Sequence, residues 1–223
     1  MTPLDNFDFQ IPHKWVIRDN GSTCYPSNIR DWFPNSFDFY FRYEHPITID
    51  PELLPEQFKN VSKERIWTDF YQFTLPEFLR TFFPSFSSNR TFDEFLIEKP
   101  FNTLPNYVFG QLKGSEMKIS EIKNCLNYLT SQNENIVINN DVLRNGIILN
   151  VEYIDTFFRT STDYLLNLKD QIAPNYILQE DRRWCITTPY DCYFSIIACD
   201  ERYADKLRNK EDIGILELTN TET

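Results

Sequence analysis

The stretch Cys192-Tyr193-Phe194-Ser195-Ile196-Ile197-Ala198-Cys199 decides the fold. At a strand's period of two, Cys192, Phe194, Ile196 and Ala198 face one way and Tyr193, Ser195, Ile197 and Cys199 the other. Both faces are largely apolar, so the strand belongs in the middle of a sheet with cover on each side. Its neighbour is Trp184-Cys185-Ile186-Thr187-Thr188, joined to it by Pro189-Tyr190-Asp191. Asp200 then caps a short helix reaching Leu207, and Ile213-Gly214-Ile215-Leu216-Glu217-Leu218 closes as a last strand.

Before this pair, Ile119, Ile122, Leu126 and Leu129 fall at 3-4-3 spacing and predict a helix. Ile136-Val137-Ile138 predicts a strand. Asn145-Gly146 suits either a hairpin turn or the C-cap of a helical turn started by Asp141. Asn150 precedes a periodic run in which Ile154, Phe157, Phe158, Ser161, Leu165, Leu168 and Ile172 share one face; it predicts a long amphipathic helix over about 151–172.

The first half is aromatic. Phe37, Phe39, Phe41 and Tyr43 alternate as a strand with one buried face, and Pro46 ends it or confines it to a sheet edge. Asp50-Pro51-Glu52 starts a helical turn. A helix from Ser62 carries Ile66, Trp67, Phe70, Tyr71 and Phe73. It restarts at Thr74-Leu75-Pro76-Glu77, and a third helix spans Phe92, Phe95 and Leu96. Pro100, Pro105, Gly110 and Gly114 mark residues 100–115 as a linker or long loop. The expected class is α+β: an aromatic-rich, mainly helical N-terminal part packed on a C-terminal, mostly antiparallel sheet with its long helix. A single domain covers 1–218, divisible into 1–110 and 115–218, with 219–223 as a tail.

Composition narrows function. The net charge is −11; residues 1–110 hold 10 basic and 15 acidic side chains, and residues 111–223 hold 12 and 18. An evenly spread negative field repels phosphate backbones and anionic lipid, so neither nucleic acid nor a membrane is the expected partner, whereas a basic protein is. The first residues, Met1-Thr2-Pro3-Leu4-Asp5, have neither the charge nor the apolar run of a signal peptide, which points to the cytoplasm. The five cysteines contain no Cys-x-x-Cys pair and read as reduced thiols.

Catalytic signatures are missing. The chain has only two histidines, His13 and His45, and no His-Glu-x-x-His, Gly-x-Ser-x-Gly, phosphate-cradling or dinucleotide-binding glycine motif. No cofactor or metal is implied. Cys185, Cys192 and Cys199 recur every seven residues, a spacing that changes strand face at each step and suits core packing rather than a metal. His45, beside Pro46, reads as a capping or surface residue. The acidic pairs Glu180-Asp181, Asp200-Glu201 and Glu211-Asp212 sit in turns where nothing raises a carboxyl's pKa for acid–base work. The remaining polar constellation is Arg144, Asn150, Arg159, Tyr190 and Asp191, near a helix start and a strand-joining loop, which suits a small acid or amide.

The phrases Val142-Leu143-Arg144-Asn145-Gly146-Ile147-Ile148-Leu149-Asn150, Phe158-Arg159-Thr160 and Thr188-Pro189-Tyr190-Asp191-Cys192-Tyr193-Phe194 resemble a bacterial family catalogued only as a domain of unknown function. The resemblance covers the C-terminal two thirds. It implies a bacterial cytoplasmic protein and supplies no activity or catalytic residue. Two functions follow as expectations: a non-enzymatic protein-binding domain of immunity or regulatory type, or a small-molecule-binding protein or metal-independent enzyme with a polar pocket near Tyr190 and Asp191.

Overall fold

The computed structural model describes residues 2–4, 16–17, 23–24, 32–33, 37–61, 70–111, 117–131, 134–139, 157–168, 171–188 and 192–218. The strands are β1 (Thr2–Pro3), β2 (Val16–Ile17), β3 (Thr23–Cys24), β4 (Phe39–Glu44), β5 (Ile47–Ile49), β6 (Tyr71–Phe73), β7 (Val108–Gln111), β8 (Asn135–Asn139), β9 (Phe157–Ser161), β10 (Tyr176–Gln179), β11 (Trp184–Thr187), β12 (Phe194–Cys199) and β13 (Ile215–Glu217). The α-helices are α1 (Leu75–Phe82), α2 (Phe92–Glu98), α3 (Ile119–Leu129), α4 (Thr162–Asn167) and α5 (Glu201–Leu207). The class is α+β.

Eight strands form one sheet in the order β1-β9-β8-β10-β11-β12-β4-β13, every neighbouring pair antiparallel. The two-faced reading of β12 holds. Ile197 and Cys199 join a core with Ile122, Leu126 and Leu129 of α3, Leu165 of α4 and Leu207 of α5. Ile196 and Ala198 face a second core with Trp32, Phe33 and Tyr40. Burial on both faces gives this strand its run of β-branched and small residues.

A second sheet, β6-β5-β7, packs against α1 and α2. Both helices begin with capping boxes, Thr74 with Glu77 and Thr91 with Glu94, each satisfying two otherwise free backbone N–H groups. Its core is phenylalanine-rich. Phe95 is fully buried, with edge-on contacts to the rings of Phe78, Phe83 and Phe86.

Several expectations change. The long helix over 151–172 is not formed: Phe157–Ser161 is strand β9, paired residue for residue with β8 from Asn135↔Ser161 to Asn139↔Phe157. Ser161 then caps the short α4 by accepting from the Tyr164 N–H, and Ile172 bridges Lys118 in extended form. The apolar spacing mimics a helix because the run is a strand followed by one short helix, each contributing its own inward residues. Residues 151–156 lie outside the described set.

The N-terminal part is not mainly helical among the described residues. Tyr71–Phe73, expected inside a helix, is strand β6, paired with Ile47–Ile49; residues 62–69 lie outside the described set. The expected linker at 100–115 contains β7. Strand β4 is neither single-faced nor at an edge: it lies between β12 and β13, with Phe41 and Tyr43 in one core and Tyr40 in the other. Pro46 does end it, and the chain then enters β5 of the smaller sheet.

Replacing Phe95 by Ala removes the ring against which Phe78, Phe83, Phe86 and Phe92 pack and is expected to destabilise the protein by about 3–5 kcal/mol, read as a lowered urea midpoint.

Candidate functional site

The polar residues that the fold gathers lie where β4 hands over to β5. Tyr43 and His45 point to the helix-covered side; Arg42 and Glu44, one residue out of phase, point to the other. Glu44 is 1% exposed. Its Oε2 accepts from Gln111 Nε2 at 2.9 Å, and the same amide donates to the His45 carbonyl at 3.2 Å. Arg42 Nε lies 2.6 Å from Glu44 Oε1 as an ion pair whose N–H is off the hydrogen-bonding axis. Arg42 Nη2 donates to Asp93 Oδ2 of α2 at 2.9 Å, and the guanidinium stacks 4.1 Å from the Phe194 ring centroid. Burial raises the Glu44 pKa, and Arg42 and Gln111 oppose that rise.

His45 is fully buried, not a surface residue. Its Nε2 is 2.9 Å from Ser195 Oγ, and Ser195 Oγ donates to Thr188 Oγ1 at 3.1 Å. A serine hydroxyl has one hydrogen; given to Thr188, it requires His45 to be the donor to Ser195. Serine beside histidine is the geometry of an activated nucleophile. Here Ser195, His45 and Thr188 have no exposed surface and Ser195 sits inside a central strand, so substrate has no approach. The trio ties the residues that end β4 and β11 to β12 by satisfying buried polar groups.

A second carboxylate lies on the helix-covered side. Glu121 Oε2 accepts from the Lys118 N–H at 2.6 Å at the start of α3, and the Glu121 carbonyl accepts from Tyr43 Oη at 2.7 Å. Burial pushes the Glu121 carboxyl up to about 7, against the lowering influence of the Lys118 N–H and the Gln72 amide.

Of the residues singled out from sequence, Arg159 lies exposed on β9 and pairs with Glu180. It is three strands from β11 in the sheet, about 14 Å across the hydrogen-bonding direction. Arg144, Asn150, Tyr190 and Asp191 lie outside the described residues. Cys185 and Cys199 occupy opposite faces, and burial pushes the Cys185 thiol well up and the Cys199 thiol up to about 12, as suits packed, protonated thiols. Among the described residues no three His, Cys, Asp or Glu side chains assemble to hold a metal, and no helix is long and apolar enough to cross a membrane.

Sequence reasoning missed Arg42, Glu44, His45, Gln111, Glu121 and Ser195. One signal was available: Arg42, Glu44 and Ser195 interrupt otherwise apolar strands. Compared with protein-family models, curated proteins and solved structures, the chain matches none.

Two outcomes follow. Arg42→Met strands Glu44 without its cation and is expected to lower stability by about 3 kcal/mol at pH 7.5, and by less as the pH falls and protonation relieves the buried charge; urea titrations across acidic and neutral pH measure it. Glu121 has a folded pKa near 7 against an ordinary 4.5. Its stabilising contribution is therefore full below about 4.5 and lost as pH rises through 7. Glu121→Gln is expected to remove that part of the decline in melting temperature between pH 5 and pH 8.

Proposed function

We propose that the chain is a non-enzymatic, bacterial cytoplasmic protein-binding domain, of immunity or regulatory type, whose partner is basic. The observation that carries this reading is a pair of half-exposed phenylalanines, one on β7 of the smaller sheet and one in the turn Phe101–Thr103 that packs on it: Phe101 is 55% exposed and Phe109 57%. Strand β7 bulges where its register with β5 passes from Thr48↔Gly110 to Ile49↔Val108, which leaves Phe109 without a partner on β5. The Phe109 ring packs against Phe70 at 4.7 Å between centroids. The Phe101 ring lies over Gly110, where an added Cβ would stand 3.1 Å from it. Exposed aromatic rings on β7 and on the 3-10 turn Phe101–Thr103 before it supply contact area at little entropic expense, as interface anchors do. The net charge of −11 favours encounter with a cation-rich surface. The buried Ser195–His45 pair supports the non-enzymatic part of the reading.

A second reading, a small-molecule site at Tyr190 and Asp191, draws on the Ser195–Thr188 hydroxyl chain, which ends immediately before Pro189. A thermal-shift screen separates the two, since a small molecule at 100 times its Kd adds roughly 2.7 kcal/mol of stability.

For the binding reading, the double variant Phe101→Ser, Phe109→Ser is expected to keep the parent melting temperature within a few degrees. It is also expected to lose a salt-sensitive complex with a basic protein fraction on size exclusion. Retention of the complex by this variant overturns the assignment of the face.

A further inference from the structure

Among the described residues, three arginines of this chain each lie against a half-buried phenylalanine. Arg42 Cζ stands 4.1 Å from the Phe194 ring centroid, Arg208 Cζ 4.8 Å from that of Phe39, and Arg90 Cζ 5.1 Å from that of Phe86. Each of these guanidinium groups is also held by a carboxylate: Arg42 by Glu44, Arg208 by Glu217 and Arg90 by Glu98. The two lysines placed over rings lie on tyrosines instead, Lys206 Nζ 4.4 Å from Tyr203 and Lys210 Nζ 4.6 Å from Tyr128. A ring's quadrupole attracts a cation to its face, and a guanidinium suits that face because it is planar and less tightly hydrated than an ammonium.

Phe101 and Phe109 break this pattern. They are the two most exposed phenylalanines among the described residues, and no cation of the described chain lies over either ring. Their contacts within the chain leave surface to spare. Phe101 meets Gly110 through the ring-edge atoms Cε2 and Cζ, and Phe109 meets Phe70 at a tilt of 49°.

Given that these rings form the partner-binding face, we propose that the face takes an arginine side chain of the basic partner, its guanidinium lying over the rings as Arg42 and Arg208 lie over theirs. A leucine on the partner gains from the apolar area alone. An arginine gains from that area through its methylene stem, from the ring quadrupoles, and from the net charge of −11. The long-range attraction draws in any cation; the rings choose between cations at contact.

The test titrates the full chain, in about 0.15 M salt to screen distant charges, with three acetylated and amidated hexapeptides. In these, glycine alternates with arginine, with lysine, or with citrulline, the uncharged isostere of arginine. Binding is followed by NMR through the ring protons of Phe101 and Phe109. The arginine peptide is expected to shift both rings and to bind severalfold more tightly than the lysine peptide, with the citrulline peptide weakest. Phe101→Leu and Phe109→Leu keep apolar bulk and net charge, and each is expected to weaken the arginine peptide by about two- to fivefold. Arginine bound no better than lysine or citrulline, or bound equally by the double leucine variant, overturns the arginine site. If the leucine variants do not fold, the ranking of the three peptides on the parent decides alone. The underlying reading fails separately. A basic-protein complex lost in the double serine variant but kept in the double leucine variant leaves the face standing and removes the arginine. A complex kept in the double serine variant removes the face itself.

Discussion

The burial of Glu44 beside Arg42, where one strand leaves the large sheet to enter the small one, constrains the rest of the molecule. A carboxylate with almost no exposed surface must find a cation and donors or give up its charge. Glu44 meets that demand from two directions, Arg42 on its own strand and Gln111 on β7, while its backbone N–H donates separately to the Gly214 carbonyl at 2.9 Å. Gly214 has φ of +82°, and this left-handed turn, not want of space, is what calls for glycine there, since an added Cβ would meet Glu44 Cβ at an ordinary 3.6 Å. Arg42 reaches on to Asp93 of α2, so the carboxylate's counter-ion is also a strut between the two sheets' layers. The net stability from such a pair is small; its effect is to fix which surfaces meet.

The same crossing separates two kinds of polar order. On one side, His45, Ser195 and Thr188 form a fully buried hydroxyl chain. On the other, Arg42 reaches the exposed carboxylate of Asp93. The aromatic core of the smaller sheet lies beyond this polar belt, with its outer rings turned to solvent. Polar groups thus hold the layers together while exposed rings provide the surface, and neither arrangement requires a catalytic centre.

How much of this was legible in the sequence depended on whether the signal was local. Strand β12 was readable because both its faces are buried and every second residue says so. Helices α1 and α3 were readable from caps and apolar spacing, and α5 from Asp200, whose carboxylate accepts the Tyr203 N–H at 3.2 Å. Strand β9 was not, because Phe157, Phe158 and Ser161 keep a helical period with Leu165 of α4 while the backbone of Phe157–Ser161 pairs with β8. Strand β7 was hidden by Gly110 and by flanking prolines that suit a loop equally well. The crossing at Glu44 was out of reach for a different reason: Gln111 and Ser195 lie 67 and 150 positions from their partners, and no periodicity encodes a contact of that span. Of the polar constellation taken from sequence, Arg159 is placed, and its partner is Glu180.

The position of β4 also bears on how the chain reaches this state. Its two hydrogen-bonded neighbours are β12 and β13, formed by residues 194–199 and 215–217, so the strand at 39–44 waits for most of the chain before either edge is paired. Closing loops of that length slows folding and leaves a long apolar edge open meanwhile. During synthesis the Phe39–Glu44 ribbon therefore stays without its native partners, and a chain interrupted after α3 would hold β4 with neither of the strands it pairs with.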